Sequence, residues 1–148
     1  MSTYIQNRKA RFNFEILETF EAGLVLHGFE AKSIRVGKGK LEGAYVIIRG
    51  GEAFLTGASI AAYQPANTPK SYDPERVRKL LFSKKELAHL ERETENARLT
   101  AVPLKLYNNG RKIKLEVALA RGKKKHDKRE SIKARDSKRD IDRTLKSQ

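Results

Sequence analysis

The chain has 148 residues, of which 39% are hydrophobic, with no Cys and no Trp, and its 32 Lys and Arg against 18 Asp and Glu give a formal net charge of +14. Lack of cysteine excludes a disulfide framework, a thiolate nucleophile and a Cys-ligated zinc finger, and no apolar run approaches the ~20 residues of a membrane-spanning helix. The charge favours a phosphate-bearing partner, because phosphates neutralised by Lys and Arg release their condensed counterions; nucleic acid ranks ahead of an anionic membrane surface and of solubility alone.

The N-terminal stretch MSTYIQNRKARF has no apolar core after its charges, so no secretory signal is expected. Phe12-Asn13-Phe14-Glu15-Ile16 alternates as a strand does. Leu24-Val25-Leu26 continues it after a bulge or turn at Ala22-Gly23. Phe29 to Val36 is predicted to be a short helix stopped by Gly37. Ala44 to Arg49, Gly50-Gly51 and Ala53 to Thr56 form a hairpin pattern. Gln64 to Pro74 holds three of the four prolines and is expected to be a surface loop. Ser83-Lys84-Lys85-Glu86 is a capping box, which predicts a helix over Lys84 to Asn96. Val102 to Tyr107 and Lys112 to Ala120, joined through Asn108-Asn109-Gly110, form a second hairpin. In its last strand Ile113, Leu115, Val117 and Leu119 share one face, and Lys112, Lys114 and Glu116 the other. About six antiparallel strands with two or three short helices predict a mainly β protein. Closing the sheet into a small antiparallel β-barrel of OB type would hide its edges.

Residues 1–120 are therefore expected to form the barrel, and 121–148 a basic C-terminal tail. Twelve of the last 28 residues are Lys or Arg and five are acidic, so the tail carries half the net charge. At 100° per residue Ile132 falls nearly opposite Ile141 and Leu145, so the tail has no apolar stripe. Lys125, Lys128, Arg129, Arg135, Arg139, Arg143 and Lys146 fall within an arc of about 120° on an ideal helix, which Asp136 interrupts. Asp136 with Arg139, Asp140 with Arg143 and Asp142 with Lys146 sit at helical spacing, each pair worth only ~0.2–0.5 kcal/mol. Asp127 with Glu130 three residues on would cap such a helix. Without packing it is marginal in water, so the tail is either a solvated appendage or a segment that orders on a polyanion.

Catalysis has little support. His27, His89 and His126 show no ligand spacing, and neither an HExxH motif nor a nucleophile–base pair is present. Gly37-Lys38-Gly39-Lys40 lacks the spacing of a phosphate-binding P-loop. No catalytic residue, metal or cofactor is expected, and a monomer is the default.

Six motifs occur in order: Asn7-Arg8-Lys9-Ala10, Phe20-Glu21-Ala22-Gly23-Leu24, Gly28-Phe29-Glu30-Ala31-Lys32-Ser33-Ile34-Arg35, Arg78-Lys79-Leu80-Leu81, Val102-Pro103-Leu104 and Gly122-Lys123-Lys124-Lys125-His126-Asp127-Lys128-Arg129. Together they resemble the SsrA-binding protein family, also called small protein B, over nearly the whole chain. These are cytoplasmic RNA-binding adaptors that partner transfer-messenger RNA in the rescue of stalled ribosomes, or trans-translation. The resemblance implies an OB-type barrel that binds the tRNA-like domain through Glu21, Leu81 and Ser83, supported by Arg8, Lys9, Lys32, Arg35, Arg78 and Lys79. It implies a tail that is unstructured when free and helical in the empty messenger channel of the ribosome. There Gly122, Lys123, Lys124, His126, Asp127, Lys128 and Arg129 would lie at the decoding centre, and basic groups such as Arg135 and Arg139 would follow rRNA phosphates. His126 would stack on an exposed base and Gly122 would act as a hinge. Elongation factor Tu is a further implied partner, in the delivered complex. The competing readings are a general OB-fold RNA-binding or ribosomal protein with a basic extension, and an RNA-processing enzyme.

Overall fold

A computed structural model describes residues 2–123. The tail positions Lys124, His126, Asp127, Lys128, Arg129, Arg135 and Arg139, and the helical charge pattern read along them, lie outside the described residues. The elements run in the order β1 (Thr3–Gln6), α1 (Arg8–Asn13), β2 (Phe14–Leu24), α2 (Gly28–Arg35), β3 (Gly39–Lys40), β4 (Tyr45–Arg49), β5 (Glu52–Thr56), β6 (Ser59–Ile60), β7 (Arg78–Leu81), α3 (Lys84–Asn96), β8 (Thr100–Asn109) and β9 (Lys112–Gly122). The protein is mainly β with three short helices, as expected, but has nine strands among the described residues rather than six.

Seven strands form one antiparallel sheet in the order β1-β8-β4-β5-β7-β2-β9, and β8 also pairs with β9, so the second and the last strands of that series share a ladder, with β1 added outside β8. β3 and β6 form a separate two-stranded ribbon. Both expected hairpins are present. Gly50 and Gly51 have φ of +60° and +75°, the left-handed values of a two-residue turn whose twist matches its strands. In the second hairpin the strands extend through Asn109, and the turn is Gly110-Arg111, with Gly110 at φ +65°.

The start of the chain departs from expectation. Phe12 and Asn13 lie in α1, not in a strand, and β2 runs unbroken from Phe14 to Leu24. Its irregularity falls between Ile16 and Glu18 instead of at Ala22-Gly23. Gly23 serves a different need: a Cβ there would sit 3.4 Å from Leu81 Cβ on the neighbouring strand. The last strand passes Ala120 and ends at Gly122, which pairs with Phe14.

Alternation along the strands builds two apolar cores. The main one gathers Ala22, Ile34, Leu41, Val46, Leu55, Ile60, Leu80, Leu106, Leu115 and Val117. A smaller one lies under α1, where Ala10 meets Val102, Leu104, Ala118 and Ala120. Helix α2 ends as the sequence predicts. The Gly37 amide donates to Ile34 O at 2.9 Å and the Lys38 amide to Ser33 O at 2.9 Å, with Gly37 at φ +77°, a Schellman arrangement. Helix α3 begins with the expected capping box, in which Ser83 Oγ accepts from the Glu86 amide at 3.2 Å. No helix among the described residues is long and apolar enough to cross a membrane.

Candidate nucleic-acid interface

The pleat sends every second residue of β7, β2, β9 and β8 outward. Register places Gly23 against both Leu81 and Lys114, Glu21 against Glu116, Tyr107 against Lys114 and Asn109 against Lys112. Lys79, Leu81, Gly23, Glu21, Lys114, Glu116, Tyr107 and Asn109 therefore share one outer face. Beside it a groove of about 270 Å³ is lined by Gly23, Leu26, Arg35, Leu81, Arg111 and Lys114, among others. Its rim is cationic. Leu81 is 52% exposed and sets an apolar surface beside these charges.

Of the residues expected to bind RNA, Glu21, Leu81, Arg35 and Lys79 lie on this face or at its groove. Glu21 is held from the hairpin tip, where Asn109 Nδ2 donates to its Oε1 at 2.8 Å. Tyr107 is buried between strands; burial, then the charges of Glu21 and Glu116, push its phenol up to about 12, so it stays protonated. Lys79 Nζ pairs with Glu52 Oε1 at 3.3 Å. Arg35 Nη2 donates to Arg111 O at 3.3 Å, which fastens α2 to the turn between β8 and β9. Lys32 is exposed on α2.

Arg78, Ser83 and the pair Arg8 and Lys9 have other surroundings. Arg78, expected among the surface cations, is 0% exposed. Its Nε and Nη2 donate to Glu30 Oε2 at 3.0 and 2.8 Å, its Nη1 to Ala58 O at 2.9 Å, and Nη2 also to Pro74 O at 2.8 Å. A guanidinium enclosed this way is structural. Ser83 is exposed, but its hydroxyl is engaged with the Glu86 amide and, at 3.0 Å, with Glu86 Oε1. Arg8 and Lys9 sit on α1, over the smaller core. Lys9 Nζ lies 3.7 Å from Glu42 Oε2, beside a second groove of about 560 Å³ lined by Asn7, Asn13, Phe14 and Tyr45. The structure does not bring them to the groove at Leu81. They lie instead toward the root of the tail, where the Lys123 amide donates to Asn13 O at 2.9 Å.

The interior holds an ionic cluster that sequence reasoning missed. Glu30, 0% exposed, accepts from Arg78, from Arg76 Nε at 3.1 Å and Arg76 Nη2, from Tyr72 Oη at 3.1 Å and from the His27 amide at 2.8 Å. Burial alone pushes its carboxyl up. The hydrogen bonds from Arg76, the His27 amide and Arg78 outweigh that and bring it down to about 2. Tyr72 Oη also donates to Ile60 O at 2.7 Å, so the proline-rich loop is pinned from within. Also unassigned from sequence were Arg111, Lys112 and Lys114; the outward alternation of β9 was the available signal. Among the described residues no group of three His, Asp or Glu side chains is placed to hold a metal.

Comparison with known proteins matches residues 4–147 to the family described as SmpB protein. SsrA-binding proteins of Acaryochloris marina and Microcystis aeruginosa are 52% and 49% identical to the chain, each over 95% of it and 91% of their own length. That of Chromohalobacter salexigens is 48% identical over 99% of this chain and 93% of its own. A solved structure described as "tmRNA-SmpB: a journey to the center of the bacterial ribosome" superposes with a TM-score of 0.69 at 42% identity, covering 88% of this chain and 95% of that one.

Proposed function

The chain belongs to the SmpB family, and from that premise we propose that it is a non-enzymatic adaptor that binds transfer-messenger RNA and brings it to stalled ribosomes for trans-translation in the cytoplasm. The observation that carries this reading is the outer face of β7, β2 and β9. An exposed leucine, a held carboxylate and a cationic groove lie together there, without a catalytic constellation among the described residues. Apolar surface takes ribose and base faces, the carboxylate takes base or ribose donors, and Arg35, Arg111, Lys112 and Lys114 take phosphates. The large sheet is read as a small closed barrel of OB type, a reading supported by the pairing of β8 with β9. That closure makes the face rigid, so it presents a fixed spacing of groups to a folded RNA.

The tail would act separately. Its basic residues would follow rRNA phosphates in the messenger channel, with Gly122 to Arg129 at the decoding centre and Arg135 and Arg139 beyond. Arg8 and Lys9, close to the tail's root, fit the ribosomal side of this division better than the groove at Leu81. Elongation factor Tu and a monomeric state complete the reading.

The test is a competition gel shift with labelled transfer-messenger RNA and excess bulk tRNA, using the full chain and a chain ending at Lys123. Both should hold the labelled RNA selectively, and only the full chain should support tagging on ribosomes stalled without a stop codon. Loss of the complex to bulk tRNA would leave the alternative, a general RNA-binding protein with a basic extension. Loss of RNA binding on truncation would refute the division of labour.

A further inference from the structure

Six large hydrophobic side chains are exposed among the described residues, and three of them, Val25, Val77 and Leu81, lie along the junction of β2 with β7. The Val25 amide donates to Lys79 O at 3.0 Å, which carries the pairing of the two strands one step past Leu24. Arg76 ties the two valines together: its Nη2 donates to Val25 O at 3.3 Å and its Nη1 to Val77 O at 3.4 Å.

This strip ends on a column of rings at the start of α2. His27 is exposed and stacks on Phe29, with centroids 5.2 Å apart and planes 19° apart. Phe29 meets Tyr72 edge-on at 4.7 Å and 86°. The column is held from below by the buried ionic cluster. Tyr72 Oη donates to Ile60 O at 2.7 Å and accepts from Arg78 Nη2 at 3.0 Å, and the His27 amide donates to Glu30 Oε1 at 2.8 Å. Packing of the proline-rich loop on α2 accounts for Phe29 and Tyr72, which are both half-buried. It does not account for the exposed outermost ring. The space around that ring is open, since a Cβ at Gly28 would meet nothing within 4 Å.

A planar ring that is fixed on one side and exposed on the other can be extended by a further ring. Unpaired RNA supplies one, because bases stack on aromatic side chains while their phosphates pair with nearby cations. Lys79 shares the strip with the valines, and Ala31 and Arg35, farther along α2, line the cationic groove at Leu81. The column is therefore continuous with the candidate RNA face.

We propose that the ring of His27 is a stacking shelf for one unpaired base of the bound RNA, and that Phe29 and Tyr72 are its positioning residues. The proposal rests on the reading that this side of the protein binds transfer-messenger RNA. It adds a contact outside the groove that accepts any base, because every base has a π-face.

The experiment measures binding of the full-length protein to transfer-messenger RNA at near-physiological salt. His27→Ala should weaken binding about tenfold. His27→Phe keeps a ring and should bind as the natural protein does, with an unchanged melting temperature. His27→Lys keeps a cation without a ring and should bind as weakly as His27→Ala. Abasic sites placed in turn at the unpaired nucleotides of the tRNA-like domain then locate the partner. One of them should weaken the natural protein about tenfold and cost His27→Ala nothing further, whereas exchanging that base for another should change little. Full binding by His27→Ala, recovery by His27→Lys, or the lack of any abasic position that spares His27→Ala would overturn the shelf and leave the groove at Leu81 as the RNA site. Absence of selective binding by the natural protein would overturn the functional reading, and this proposal with it.

Discussion

Arg78 lies against Glu30 in the interior with both side chains fully enclosed, two of its N–H groups converging on one carboxylate oxygen at 3.0 and 2.8 Å. Removing one partner strands the other in low dielectric. Arg78→Ala should therefore cost about 3–5 kcal/mol, and Arg78→Lys should recover little, because an ammonium cannot make the planar fork. Urea denaturation checks this. A loss below 1 kcal/mol would mean that the cluster does not hold the interior together.

Acid should act through the same carboxylate. Glu30 sits at about 2 in the folded protein against an ordinary value of 4.5, so the unfolded chain binds its proton first as pH falls. The cluster's stabilisation is fully present above about pH 4.5 and is lost as pH falls toward 2, a difference on the order of 3 kcal/mol. Denaturation midpoints followed from pH 6 to pH 2.5 should fall for the natural protein. Glu30→Gln should start lower and show a shallower dependence over that window.

One pair of variants separates capping of α3 by Ser83 from contact with RNA. Ser83→Ala removes the cap of α3 and should cost about 1 kcal/mol. Ser83→Asp keeps the cap and adds a negative charge. If Ser83 only caps, Ser83→Asp binds RNA as the natural protein does. A drop in affinity at unchanged melting temperature would show that RNA phosphates come close to this position.

Charge on the outer face should appear as salt dependence. Lys114→Ala should weaken binding to transfer-messenger RNA and reduce the slope of log affinity against log salt by about 1. Leu81→Ala should weaken binding with that slope unchanged, since it removes apolar contact and not charge. Lys9→Ala, on the α1 side, should leave RNA binding nearly intact and impair tagging on ribosomes. Filter binding at several salt concentrations, paired with a tagging assay, distinguishes the three.

The parts of the fold that were legible from sequence are those in which local chemistry and tertiary structure agree. Gly50-Gly51 dictates a turn, Ser83 with Glu86 dictates a helix start, and Gly37 dictates a stop. Helix α1 was hidden because six residues carry too little periodicity, and Phe12-Asn13-Phe14 alternates as a strand would. Strand β7 was hidden because Arg78-Lys79 reads as surface charge. Arg78 is nonetheless buried, for a reason 48 residues away: its partner Glu30 sits on α2. Lys79, its neighbour, points outward, as the two-residue period requires. The candidate face was legible in its family motifs, at Glu21 and Leu81. Arg111, Lys112 and Lys114 went unassigned because their proximity to Leu81 is a product of sheet order, which a linear sequence does not display.

The hydrogen bond from the Lys123 amide to Asn13 O makes the end of the sheet a fulcrum. The 25 residues that follow would reach about 38 Å as a continuous helix and no more than about 90 Å fully drawn out. Their origin is tied to the junction of α1 with β2, the strand that carries Glu21 toward its other end. On the proposed reading, an RNA docked on that strand would set the place from which the tail departs. The protein would then work as a ruler: one end registered on a folded RNA, and the span to whatever the tail touches measured from there.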